Sequence, residues 1–243
     1  MDKLSNKVCV VTGASGGLGR CIALALARAG GKVVIASRNV ARSQQVLAEI
    51  DACGGEGVSL PSDVTNEAEV KGTFEQVADQ FGRLDLLVNN AGLAVGGAPD
   101  ELSFETWRQV LSVNLDGAFL CSREALRIMK PLRSGRIINI GSVSAKVPRV
   151  NSAPYTTSKF ALEGLTKALA LDARDFGVSV SILHPGNTDT PIWDPRREVA
   201  KEEGVMDPDQ VARLVCTMAA LPSDINFLEG TVLPVSMPFL GRG

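Results

Sequence analysis

Tyr155 and Lys159 are the residues with the clearest chemical potential, and Tyr155 is the only tyrosine in the chain. Four residues apart on a helix, they would face the same side. A phenol ordinarily titrates near ~10, too high for a base at neutral pH. A neighbouring ammonium favours the phenolate and brings that value toward the working range. The pair therefore predicts proton transfer to or from an oxygen. Ser142 lies thirteen residues before Tyr155, just past an apolar run. Its hydroxyl can donate to an oxygen on which charge develops. His184 is the only histidine, so any Ser-His-Asp mechanism would have to pass through it, and a histidine-rich metal site is excluded. Immediately before Pro185 at the end of another apolar run, His184 reads as a buried strand-end residue instead.

A second feature binds rather than reacts. The apolar segment Lys7 to Val11 runs into Thr12-Gly13-Ala14-Ser15-Gly16-Gly17-Leu18-Gly19, and a helical pattern follows at once. Glycines let the backbone turn tightly and approach a pyrophosphate, while the new helix points free N–H groups at the anion. In this strand–turn–helix context the segment predicts dinucleotide binding. The second apolar segment ends Ala36-Ser37-Arg38. No acid stands where one would accept the ribose hydroxyls of NAD, and the Arg38 guanidinium suits a 2′-phosphate. The expected cofactor is NADP(H).

These residues need a frame, and the rest of the chain supplies one. Short apolar runs at about 7–11, 32–36, 57–60, 85–88, 136–140, 179–183 and 228–233 alternate with amphipathic segments at about 18–29, 40–52, 66–81, 104–115, 117–129, 153–175 and 207–220. Strict β-α-β-α order predicts an α/β fold: a Rossmann-like, doubly wound, mostly parallel seven-stranded sheet with helices on both faces. Ligands bind such sheets beyond the carboxyl ends of the strands. No linker, repeat or low-complexity tract divides residues 1–243, so one domain is expected. The irregular stretch from Asn187 to Met206, with Pro191 and Pro195, reads as a mobile lid. Trp193 within it is a candidate substrate contact, whereas Trp107, on a helical segment, reads as packing.

Composition narrows the classes. Among 243 residues 45% are hydrophobic and 21% charged, so the chain is neither disordered nor membrane-spanning. A formal net charge of −2 argues against a broad basic surface for nucleic acid. Five scattered cysteines without a CxxC form neither a disulfide framework nor a zinc site and fit a reducing compartment. With no signal-peptide pattern at the N-terminus, a cytoplasmic protein is expected.

The ordered set Thr12 to Gly19, Asp63-Val64, Asn89-Asn90-Ala91-Gly92, Asn114, Ser142, Tyr155-x3-Lys159 and Pro185-Gly186 resembles the short-chain dehydrogenase/reductase family over nearly the whole chain, to about residue 233. The resemblance implies hydride transfer between a nicotinamide and a carbonyl/alcohol pair. It gives Tyr155 the general acid/base role. Lys159 lowers the Tyr155 pKa and holds the nicotinamide ribose, and Ser142 contacts the substrate oxygen. It implies that Asn114 distorts its helix and holds a relay water through its backbone carbonyl. It assigns Gly13, Ser15, Gly17, Leu18 and Gly19 to the pyrophosphate turn, with Ser37 and Arg38 at the far ribose. Asp63 and Val64 lie by the adenine, Asn90, Ala91 and Gly92 along its ribose, and Pro185, Gly186, Thr188 and Thr190 at the nicotinamide.

Two departures from the family pattern stand out. Gly16 replaces a basic residue frequent in the glycine turn, and the proline-punctuated tail from Leu233 replaces the common glycine-rich ending. A carbonyl reductase or alcohol dehydrogenase is the leading expectation. A 3-oxoacyl-thioester reductase is the enzymatic alternative, with Arg123, Arg127, Lys130 and Arg133 as a basic patch for an acidic carrier protein. A non-catalytic NADP-sensing protein is the alternative of a different class. The expected partners are a small carbonyl or alcohol substrate and further copies of the chain in a tetramer or dimer, the tetramer built on the two long helices. Leu115, Ala118, Phe119, Ala161, Leu165 and Leu169 are candidates for that contact. Neither nucleic acid nor membrane is expected.

Overall fold

The apolar runs form strands, and the five central ones are buried on both faces, as parallel strands must be when helices cover each side, while the two edge strands are only partly buried. In the computed structural model, which describes residues 4–191 and 202–239, the strands are β1 (Val8–Thr12), β2 (Lys32–Ala36), β3 (Glu56–Leu60), β4 (Leu86–Asn89), β5 (Gly135–Ile140), β6 (Val178–Pro185) and β7 (Glu229–Val232). They pair in the order β3-β2-β1-β4-β5-β6-β7, and every pairing is parallel. The chain reverses direction across the sheet between β1 and β4, so their carboxyl ends splay apart into a crevice.

Alternation along each strand divides the core. Cys9, Val11, Val33, Ile35, Val88 and Ile138 face α1 (Gly17–Arg28), α2 (Val40–Ala52) and α7 (Pro208–Ala219). Val8, Val10, Val34, Leu87, Ile137 and Val180 face α3 (Glu67–Phe81), α5 (Gly117–Leu132) and the end of α6 (Ala153–Ala173). Caps set the helix starts. The Asn66 side chain accepts from the backbone N–H groups of Ala68 and Glu69, and Asp207 accepts from Asp209 ahead of Pro208. Each such cap contributes about 1 kcal/mol.

Most boundaries move by no more than three residues from the sequence reading, and two departures bear on the site. The helix expected over 104–115 stops at Leu111: α4 (Phe104–Leu111) gives way to a π-helical turn at Ser112–Asp116 before α5 begins. A wider turn of this kind marks an extra residue inserted into the helical ladder. The other is β6, which extends to Pro185 because β7 pairs with it as far as Val232. That extension draws His184 into the sheet.

Of the residues offered for an intersubunit face, Ala118 packs with Leu162 and Ile182. Leu165 packs against the same cluster and Leu169 against the core beneath α5, so these three serve this chain's own core. Phe119 remains exposed, and Leu115 and Ala161 are half-buried. No helix among the described residues is long and apolar enough to cross a membrane.

Candidate active site

The sheet's carboxyl edge opens into a cleft of about 610 Å³. Gly13 follows β1 with φ +65°, a conformation that side-chain-bearing residues rarely adopt. Two turns further, a Cβ at Gly19 would collide with the Asn90 amide and the Gly13 carbonyl, so only glycine lets the helix start this close to the strand. Ser15, Gly17 and Leu18 line the same rim. The first helical bond back to the turn comes from Arg20 N–H to Gly16, and α1 has no acid in its first turn. Its opening N–H groups are thus an anion site of the kind dinucleotides use.

Thr12 fastens the β4 loop to this turn. Its hydroxyl accepts from the N–H groups of Asn90 and Ala91, both at 3.0 Å, and the Asn90 amide donates to the Thr12 carbonyl at 3.0 Å. Asn89 works behind the cleft, donating to Ser122 and Asn139, while Asn139 donates to Thr166. This buried polar chain ties β4 and β5 to α5 and α6.

At the far end, Ser37 donates to Ser15 at 2.8 Å. The Arg38 side chain is 72% exposed and sits 3.5 Å from the Asp63 carboxylate. Asp63 also accepts from the backbone and hydroxyl of Thr65. These bonds and the Arg38 charge outweigh its partial burial and hold its carboxyl below the ordinary range. Val64, next in the chain, is buried against Gly117 of α5. Asn39 and Arg42, not singled out from sequence, line this end as well. Arg42 was legible in principle as a second cation one helical turn past Arg38.

The opposite end gathers the phenol, the hydroxyl and an ammonium. Ser142, Tyr155 and Lys159 share one wall with Gly92. Lys159 is 5% exposed and its ammonium donates to the Ile140 carbonyl at 2.8 Å. Burial pushes it down to about 8. Burial also raises the Tyr155 phenol, against which a hydrogen bond from Ser142 works. Lys159, expected to lower that value, stands beside the phenol ring. The ammonium lies 5.7 Å from the ring centroid and is committed to Ile140, so it is Ser142 that opposes the desolvation.

Asn114 does not line the cleft; it stands behind it, 1% exposed, in the π turn. Its carboxamide oxygen accepts from Leu93 N–H at 2.7 Å, and its nitrogen donates to the Leu93 carbonyl and to Ser158. Ser158 in turn donates to the Tyr155 carbonyl at 2.7 Å. Sequence reading gave Asn114 a backbone role; its side chain is a clamp joining the β4 loop to the tyrosine's helix.

Pro185, Gly186, Thr188 and Thr190 complete the rim at the end of β6. The expected lid is firmly rooted. Asn187 and Thr188 are buried, and Asp189 and Asn187 exchange backbone hydrogen bonds with Met206. Arg149 bonds Asn187 and pairs with Glu203, tying the loop after Ser142 to the far stem. Residues 192–201, including Trp193, lie outside the described residues. The tail folds back onto this corner: Ser236 donates to the Glu203 carbonyl, and Met237 is buried beside Gly186. The basic patch on α5 is largely internally paired. Arg123 binds Glu67 and Glu124, Arg127 binds Glu124, and Lys130 lies over the Phe176 ring.

The cleft thus joins an anion-binding turn at its middle to cations at one end and to a phenol, hydroxyl and ammonium at the other. That donor set fits an extended dinucleotide.

Comparisons with known proteins agree with this geometry. Residues 7–201 match the family model for short chain dehydrogenase. The chain is 38% identical over 194 residues to a 3beta-hydroxysteroid dehydrogenase of Mediterraneibacter gnavus, covering 79% of this chain and 70% of the relative. It is 38% identical over 187 residues to a 3-oxoacyl-[acyl-carrier-protein] reductase of Synechocystis, covering 76% of each. A metagenomic short-chain oxidoreductase solved in complex with NADP superposes with a TM-score of 0.85 at 34% identity, over 96% of this chain and 98% of that one.

Proposed function

Because the chain belongs to the short-chain dehydrogenase/reductase family, we propose that it is an NADP(H)-dependent oxidoreductase interconverting a ketone or aldehyde with its alcohol. The observation that carries the reading is the common wall formed by Ser142, Tyr155 and Lys159 in the cleft that also holds the glycine turn. A bound nicotinamide supplies or accepts the hydride. Tyr155 gives its phenolic proton to the carbonyl oxygen in reduction and takes it back in oxidation. Ser142 donates to the same oxygen and steadies the charge that builds there. Lys159 keeps a largely protonated ammonium at pH 7, since its value of about 8 lies above that pH. The Asn114–Ser158 clamp keeps the tyrosine's turn in register with the Leu93 loop.

Arg38, with Arg42 beside it at the cleft end, supports NADP(H) over NAD(H). The substrate class we favour is a small or medium hydrophobic ketone, in keeping with the hydroxysteroid named for one relative. A second reading, reduction of a 3-oxoacyl thioester, is favoured by the relative named for that activity. It is weakened by the internal pairing of Arg123 and Arg127, which leaves little free charge for an acidic carrier.

The test mixes protein, NADPH or NADH and a panel of ketones, aldehydes and acyl thioesters, following cofactor absorbance. Tyr155→Phe should lower kcat by about 10²–10⁴-fold while leaving NADPH affinity nearly intact. A phenylalanine variant that turns over like wild type refutes the acid/base assignment. No turnover with any carbonyl, alongside tight NADPH binding, would instead favour a sensing protein.

A further inference from the structure

His184 is 0% exposed and belongs to no step above. Its ring lies between two groups of different kinds. On one edge, Nδ1 is 3.0 Å from the Ser142 carbonyl oxygen and 3.3 Å from the Ser142 nitrogen. On the other, Nε2 faces Glu163 of α6 and Glu229 of β7, each at 3.7 Å. Those carboxylates are already bridged by Lys146, from the turn after Ser142, and by Lys167 of α6. Glu163, His184 and Glu229 converge closely enough to resemble a metal triad. With both carboxylates engaged by ammonium groups, the cluster reads instead as a closed ion network against which the ring is braced.

The backbone is shaped for that ring. A Cβ at residue 141 would lie 2.5 Å from Nδ1 and 2.9 Å from Cε1, so the imidazole fits only because Gly141 precedes the serine. Nε2 has no hydrogen-bond partner among the described residues. Nδ1 can either accept from the Ser142 N–H at 3.3 Å or donate to the Ser142 carbonyl oxygen at 3.0 Å, but not both at once. The shorter contact puts the proton of the neutral ring on Nδ1, donated to the Ser142 carbonyl. Burial lowers the imidazole's affinity for a second proton, so it stays neutral near pH 7.

We propose that His184 is the positioning residue of Ser142: through Nδ1–H it holds the serine's peptide and couples it to the Lys146–Glu163–Lys167–Glu229 network. Ser142 touches the substrate oxygen, and His184 acts only through it. The inference rests on the role proposed for Ser142, and the experiment separates the two.

Two measurements test it. The first needs no variant, because the only histidine gives a single imidazole signal in untagged protein labelled with ¹⁵N-histidine. At neutral pH, Nδ1 should be protonated and Nε2 bare; the reverse tautomer overturns the proposal. The second uses kinetics. An asparagine amide branches from Cγ as Nδ1 does, whereas a glutamine amide reaches the place of Nε2. His184→Gln and His184→Leu should lower kcat about tenfold, the loss of one hydrogen bond, with KM for NADPH unchanged. His184→Asn should recover most of that loss. In a Ser142→Ala background, His184→Gln should cost less than about twofold more, because contacts acting through one group are not additive. Full kcat in His184→Gln beside a crippled Ser142→Ala overturns the proposal, as do losses that multiply. A Ser142→Ala variant as active as wild type would overturn the role of Ser142 instead. If His184→Gln does not fold, the tautomer decides.

Discussion

Replacing Ser37 by Asp and Arg38 by Ala should reverse the cofactor preference, and the structure sets how far. A charge-assisted contact from a guanidinium to a 2′-phosphate is worth about 1.5–3 kcal/mol. Arg38 is 72% exposed, so solvent screening places its share at the lower end. Its ion pair with Asp63, at 3.5 Å, must also loosen for the guanidinium to turn toward a phosphate, and such surface pairs are worth roughly 0–1 kcal/mol. The net loss for NADPH is about 1–2 kcal/mol, or roughly 5–30-fold in kcat/KM. The gain for NADH comes from Ser37, which is buried and donates to Ser15 at 2.8 Å. An aspartate there can accept from the Ser15 hydroxyl and from both ribose hydroxyls while repelling a 2′-phosphate. The double variant should therefore move the NADPH/NADH ratio of kcat/KM by more than either single change. Initial rates with both cofactors at two salt concentrations check this, and the Arg38 contribution should shrink as salt rises. Wild-type protein that uses NADH as well as NADPH would refute the reasoning at its root.

Asn114→Ala should leave Leu93 and Ser158 without their partner, cost about 1–3 kcal/mol and lower Tm by several degrees, with kcat falling alongside; a calorimetric scan unchanged from wild type would contradict the clamp. Burial holds His184 below its ordinary value of 6.5, so the unfolded chain binds the extra proton first and stability should fall as pH drops below about 6.5. His184→Asn should flatten that slope in urea titrations between about pH 6.5 and 5, above the range where Glu163 and Glu229 titrate, and a slope that persists would refute it. Light scattering should find a homo-oligomer, most simply a dihedral tetramer, with Phe119→Glu shifting it toward smaller species; a dilution-stable wild-type monomer is the contrary result.

The sequence alone determined whatever depends on neighbours in the chain. Doubly buried strands must be continuous apolar runs, so their order, and with it the parallel sheet, could be read directly. The glycine turn was legible because its demands are local: a positive φ at Gly13 and a helix opening a few residues later. Tyr155 and Lys159 were legible because helical spacing places them together. Tertiary structure decided what depends on residues distant in the chain. The π turn at Asn114 serves partners at Leu93 and Ser158. Lys159 donates to the Ile140 carbonyl, nineteen residues earlier in the chain. Arg38 meets Asp63 only because β2 and β3 are sheet neighbours. His184 meets Ser142 because β5 and β6 lie side by side, bringing together residues 42 positions apart. No local pattern encodes such contacts, since they arise only once each strand has chosen its partner and register.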